Sequence, residues 1–264
     1  MTRTRLRVTV VLAGAVLLLG PWLVPTIPPS TVVYVSVAWL IAAGYLLYAA
    51  HLILKTWLGR TVAGMLVVVV ALLPIILTAV PVSPARAVQL PCPRNWGWLP
   101  TWLLRPSPMG SVSFTLGDAK AKVCYGRPAS RGRTMIGGTR VPFGKLWRTG
   151  ANEPTTIIST APLDIAGIQV PAGRSSLYTV PGPETWEVIL NRSTGQWGLE
   201  SEYSDAVKAQ ELGRAILPSE RTGAPFERLT LLIEPPARRA ADSLSLVLRW
   251  ERTLVRIPIT SGSR

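Results

Sequence analysis

Ser243-Leu244-Ser245-Leu246-Val247-Leu248-Arg249-Trp250 decides the fold. Leu244, Leu246, Leu248 and Trp250 recur at a period of two, which puts them on one face of a strand with the small and charged residues opposite. Similar runs flank it. Lys120–Tyr125 alternates, and so do 155–159, 163–170, 175–180, 186–191, 228–233 and 255–259. The breaks between them, Ala166-Gly167, Pro171-Ala172-Gly173 and Pro181-Gly182-Pro183, are turn sequences. About eight to ten strands at this spacing predict an all-β antiparallel sandwich or jelly roll over residues 111–264. One stretch, Ser204–Ala215, reads as a short helix.

Upstream the pattern changes twice. Residues 84–110 read as a linker: seven prolines fall between Pro81 and Pro108, which excludes a long helix or a central strand. Trp96, Trp98 and Trp102 lie in that stretch and either pack on the domain or rest at a membrane surface. Residues 1–83 hold three apolar stretches, 6–24, 31–54 and 62–82. Each is long enough to cross a bilayer, which takes about 20 residues. The expected architecture is therefore three transmembrane helices followed by the β domain.

Charge orients the anchor. No Asp or Glu precedes Asp118, while eight Lys and Arg do. Arg3, Arg5 and Arg7 at the start and Lys55 and Arg60 in a loop mark the cytoplasmic side; the loop 25–30 is uncharged. The N-terminus is then inside and the β domain outside. The net charge of +14 needs no nucleic-acid partner, because no basic helix or reader motif accompanies it. His51, the one histidine, sits near a span end and reads as interfacial; Pro74 reads as a kink. Ala85-Arg86-Ala87 resembles a signal-peptidase site, but two spans precede it. The lipid bilayer is thus the expected partner of the first 83 residues.

Cys92 and Cys124 both fall outside under this topology, where disulfides persist. A bond between them closes a loop of about 32 residues and is worth roughly 3–4 kcal/mol on the chain-entropy model. Two buried free thiols are the alternative.

The β region also resembles a known family. Tyr125-Gly126-Arg127-Pro128, Gly132-Arg133 and the run Val141-Pro142-Phe143-Gly144-Lys145-Leu146-Trp147-Arg148-Thr149-Gly150-Ala151-Asn152-Glu153 are similar to the signature of the bacterial DUF2911 domain. Later pieces agree: Pro171-Ala172-Gly173, Ser176 to Gly182, Trp186 to Asn191 and Gln196-Trp197-Gly198. The resemblance covers about 107–259. It implies a domain boundary and little chemistry, since the family is one of unknown function. Many relatives look simply secreted; the family is bacterial, and with the anchor read above the expected location is the bacterial cytoplasmic (inner) membrane. The three-span anchor and the cysteine pair depart from the family pattern.

The β region lacks histidine, which removes Ser-His-Asp and Cys-His catalysis and disfavours zinc. No nucleotide fingerprint is present, and no metal or cofactor is expected. The densest polar segment surrounds Trp147, where Arg148, Asn152 and Glu153 bring a cation, an amide and a carboxylate within six residues. An Arg fork grips carboxylate or phosphate, Asn both donates and accepts, and a Trp face stacks on rings. Tyr125, Arg127, Arg133, Asn191, Gln196 and Trp197 are further candidates for such a pocket. Against this stands a structural reading, in which Arg148 pairs with buried Glu153 and Asn152 caps a turn.

Three function classes follow. The first is a membrane-tethered binding module for a polar or anionic small molecule or a glycan. The second is an assembly domain of the cell envelope. The third is a hydrolase using Glu153 with Glu187, Glu200 or Asp205, which needs two carboxyls roughly 5–10 Å apart.

Overall fold

A computed structural model describes Gly44 and residues 83–92, 107–196, 200–235 and 243–262. Apart from Gly44 in the second, the three predicted spans lie outside the described residues, as do Trp96, Trp98, Trp102 and Trp197. Among the described residues no helix is long and apolar enough to cross a membrane.

Nine strands are described: β1 (Met109–Leu116), β2 (Ala119–Gly126), β3 (Thr155–Ser159), β4 (Leu163–Ile165), β5 (Ile168–Val170), β6 (Gly173–Val180), β7 (Thr185–Asn191), β8 (Glu211–Glu234) and β9 (Ser243–Ser261). All pairings between them are antiparallel, in the order β1-β2-β3-β6-β7-β8-β9-β4-β5. This is a meander with the β4–β5 hairpin carried across to β9, rather than the jelly-roll connectivity named as an alternative. β8 folds the sheet over. Its first third pairs with β7 (Asn191↔Glu211 to Thr185↔Pro218), and its remainder pairs with β9 (Ser219↔Val255 to Glu234↔Ser245). Inward side chains of both halves then form one core, which makes the domain sandwich-like.

The alternation read from Ser243–Trp250 holds: Leu244, Leu246, Leu248 and Trp250 are buried in that core. Beyond Trp250 the inward set shifts to Val255, Ile257 and Ile259, from even to odd positions. Glu251, with φ of 50°, sits at that shift, where the register with β8 also slips. A bulge turns the strand by one residue and so swaps its faces. Two runs that look separate in sequence are therefore one strand.

The helix expected over Ser204–Ala215 is corrected. Only α2 (Asp205–Lys208) forms, with the Ser204 hydroxyl accepting from Val207 N. From Glu211 the chain pairs with β7, whose edge would otherwise stay open.

α1 (Pro84–Gln89) lies within the stretch read as linker and belongs to the same compact unit as the β domain. Its Ala87 packs with Ile158 and Cys124. Cys92 and Cys124 form a disulfide with α-carbons 5.6 Å apart. Lys122 Nζ donates to Leu90 O at 2.9 Å beside it.

Candidate functional site

The long β2–β3 connection carries the Trp147 segment and builds an open cleft of about 610 Å³. Two walls can be distinguished.

The first wall is the loop 147–152. Trp147 N and O exchange hydrogen bonds with Thr179 of β6 at 2.7 and 2.9 Å, which lays the loop along the sheet end. The Thr149 hydroxyl bonds to Thr179 Oγ1 at 3.1 Å, and Thr155 Oγ1 donates to Thr149 O at 2.8 Å. Trp147 Nε1 donates to Gly150 O at 3.1 Å and closes the turn. Gly126 stacks so closely beneath it that a β-carbon there would collide with Ala151 O. This packing holds Arg148 half-buried, with Nη1 donating to Asn152 O at 2.9 Å. Asn152 Nδ2 reaches Ser107 O at 3.2 Å. Burial lowers the pKa of Arg148; Glu200, Tyr178 and Glu202 act in the opposite direction.

The second wall is the loop 128–141, and two carboxylates hold it. Glu227 of β8 accepts from the Ser130 hydroxyl at 2.6 Å and from Arg131 N at 2.8 Å. Glu251 of β9 accepts from the backbone N–H groups of Met135 and Ile136, both at 2.9 Å. Arg133 Nε donates to Ser130 O at 3.1 Å. Four guanidinium-bearing residues line the cleft as a result: Arg131, Arg133, Arg140 and Arg148. One carboxylate, Glu200, lines it among the described residues, and buried Met135, Val141, Trp147 and Trp250 contribute its apolar lining.

The sequence candidates therefore separate. Arg133, Trp147, Arg148 and Asn152 line one cleft. Tyr125 and Arg127 instead tie β2 to β8: the Tyr125 hydroxyl accepts from Leu231 N at 3.0 Å, and Arg127 Nε donates to Leu229 O at 3.3 Å. Asn191 is fully buried, its amide bonding Val207 O at 2.7 Å and its oxygen accepting from Ser193 N. Gln196 Nε2 donates to the Tyr178 hydroxyl at 2.8 Å. Burial pushes that hydroxyl up to about 12, against the effects of Gln196 and Arg148. Glu153 is buried and does not line the cleft. The carboxylates acting on Arg148 are Glu200 and Glu202, so the suggested Arg148–Glu153 pair is not what sets its charge environment. Glu187 pairs with Arg214 at 3.0 Å on the sheet surface, and Asp205 opens α2, so the carboxylates considered for hydrolysis do not gather in the cleft. Among the described residues no group of three or more His, Cys, Asp or Glu is placed to hold a metal.

Sequence reading missed Arg131, Arg140, Glu227 and Glu251. The arginines stand just upstream of the Trp147 run and are separable from surface charge only once the loop is folded. Glu227 and Glu251 carry no signal at all, because the strand register alone brings them to the loop.

Residues 107–259 match the family model described as "Protein of unknown function (DUF2911)", more than half of the chain. Neither the curated proteins nor the solved structures contain a match.

Proposed function

Since the chain belongs to the DUF2911 family, whose description carries no function, we propose from the cleft itself that the domain is a binding module for a polar or anionic small molecule or glycan. The observation that carries this is the lining of Arg131, Arg133, Arg140 and Arg148 against Glu200, the one lining carboxylate among the described residues. Like charges gathered in a concavity repel, and an anionic guest offsets that repulsion. Backbone strain supports the same reading. Of five non-glycine residues with positive φ among the described residues, Arg131 and Asn152 line the cleft, Thr149 lies inside the first wall, and Glu251 anchors the second. Such conformations cost about 1–3 kcal/mol each and collect where function requires them.

The proposed setting is the outer face of the bacterial cytoplasmic membrane, on the three-helix anchor read from the sequence. The Cys92–Cys124 bond supports it, because such bonds persist outside the reducing cytosol.

The test is a thermal-shift screen of the full-length protein in neutral detergent against sugars, sugar acids, organic acids and phosphate esters. At least one compound should raise the melting temperature. Arg148→Lys keeps the charge and loses the planar fork, so it should lower that shift while leaving the unliganded melt nearly unchanged. A screen with no shift, or shifts identical in Arg148→Lys, would count against the cleft and favour an assembly role in the envelope.

A further inference from the structure

The lining restricts which ligand fits, provided the binding reading above holds. We infer that the cleft seats a phosphate-type oxyanion carrying two or more negative charges. Charge is the first ground. Among the described residues four arginines line the cleft against Glu200 as the one lining carboxylate, so positive charge predominates there even with Glu202 acting on Arg148 and Glu227 holding the Arg131 loop. A neutral glycan offsets none of it, and a single carboxylate leaves most of it uncompensated beside buried Met135 and Trp250.

Direction is the second ground. Arg131 and Arg133 come from the part of the connection held by Glu227, Arg140 lies beyond the Glu251 clamp, and Arg148 stands on the opposite wall. A carboxylate is planar and is saturated by one or two forks. A phosphate presents three or more acceptor oxygens in a tetrahedral array and takes donors from several sides at once.

Availability is the third. Arg133 uses its Nε on Ser130 O, which leaves both terminal nitrogens as a fork. Arg148 uses one N–H on Asn152 O. Among the described residues the Arg140 guanidinium has no hydrogen-bond acceptor, although it lines the cleft. Burial lowers the pKa of Arg148, so its charged form is under-compensated where it stands, and a dianion would supply the difference. Glu200 is then the acceptor for a hydroxyl on whatever carries the phosphate.

A phospholipid headgroup and a free phosphoester share this chemistry. The experiment is calorimetric titration of the full-length protein in neutral detergent at constant ionic strength with pyrophosphate, inorganic phosphate, glucuronate and glucose. Pyrophosphate should bind most tightly and phosphate next. Glucuronate should bind about tenfold more weakly than pyrophosphate, and glucose not at all. Arg140→Gln should weaken pyrophosphate by about tenfold; Arg192→Gln, outside the cleft lining, should leave it unchanged. Glycerol 3-phosphate and dihexanoyl phosphatidic acid below its micelle concentration separate the two sources, the tighter one identifying which is used. Glucuronate or glucose binding as tightly as pyrophosphate, with sensitivity to Arg148→Lys, overturns the phosphate inference and leaves the binding reading standing. No binding of any probe overturns both, and pyrophosphate binding indifferent to Arg140→Gln overturns the assignment to this cleft.

Discussion

The indole of Trp147 stacks on that of Trp250, with ring centroids 5.7 Å apart and planes 20° from parallel. That contact joins the two walls of the cleft. The residue after Trp147 is Arg148, which lines the cleft. The residue after Trp250 is Glu251, which clamps the N–H groups of Met135 and Ile136. Trp186 of β7 closes the group edge-on to Trp147, at 6.0 Å between centroids.

Truncating either stacked ring should therefore be costly and the two costs should not add. Trp147→Ala and Trp250→Ala are each expected to lose about 3–5 kcal/mol. The double variant should lose clearly less than their sum, because each single change already removes the shared contact. Urea denaturation of the three proteins measures this. Additivity would mean that the rings do not couple the walls.

Gly126→Ala should disturb the site without touching it. The new methyl would meet Ala151 O, so the loop carrying Arg148 must shift. The expected result is a destabilisation of about 1–3 kcal/mol together with loss of any ligand-induced thermal shift. Retention of both stability and ligand response would show that the loop is not held by this approach.

The second wall should be sensitive to acid. The Ser130 hydroxyl and then the Arg131 N–H hold the Glu227 carboxyl below its ordinary value. A carboxyl depressed in the folded state contributes stability that is present above its unfolded pKa and is lost as pH falls through its folded pKa. Glu227→Gln should therefore flatten part of the fall in stability below the ordinary carboxylate range, read by denaturant titration between pH 7 and pH 3. An acid limb identical to that of the unaltered protein would show that the clamp contributes nothing.

Reduction should loosen the start of the domain. The Cys92–Cys124 bond encloses 32 residues of separation, and its removal is expected to cost about 2–4 kcal/mol. Cys92→Ser should melt at the same lowered temperature as the reduced protein. An unchanged melt on reduction would mean that the Ala87–Ile158 packing and the Lys122–Leu90 hydrogen bond hold α1 without the disulfide.

The proposed orientation predicts an accessible domain. Protease added to spheroplasts should remove the residues after the third apolar run, while a cytoplasmic marker survives. Protection of the C-terminus would overturn the orientation and the compartment argument for the disulfide.

How much of this was legible beforehand depended on whether the deciding interactions are local. The strands at 155–159, 175–180 and 186–191 fall inside β3, β6 and β7; these are buried on both faces over most of their length, and what marks them is a short run rich in apolar and β-branched residues bounded by turn sequences. The Trp147 run stood out because many polar groups crowd a short loop. β8 was legible over only 228–233, since its exposed stretch carries Pro218, Pro225 and many charges and lacks a clear apolar period. It becomes a strand because β7 and β9 supply hydrogen-bonding partners on either side.

The sequence by itself determined the β architecture of the domain, the family, and the segment from which the cleft's first wall is made. All of these rest on side-chain periodicity or on contiguous motifs. Tertiary structure alone decided that Arg131 and Arg140 line the same cleft as Arg133 and Arg148, that Tyr125, Arg127 and Asn191 serve as struts, and that Glu227 and Glu251 hold the loop. The places of Glu227 and Glu251 follow from the register of β8 on β9, which brings together residues about 100 positions apart in the chain; no local signal records which residues such a register will bring together.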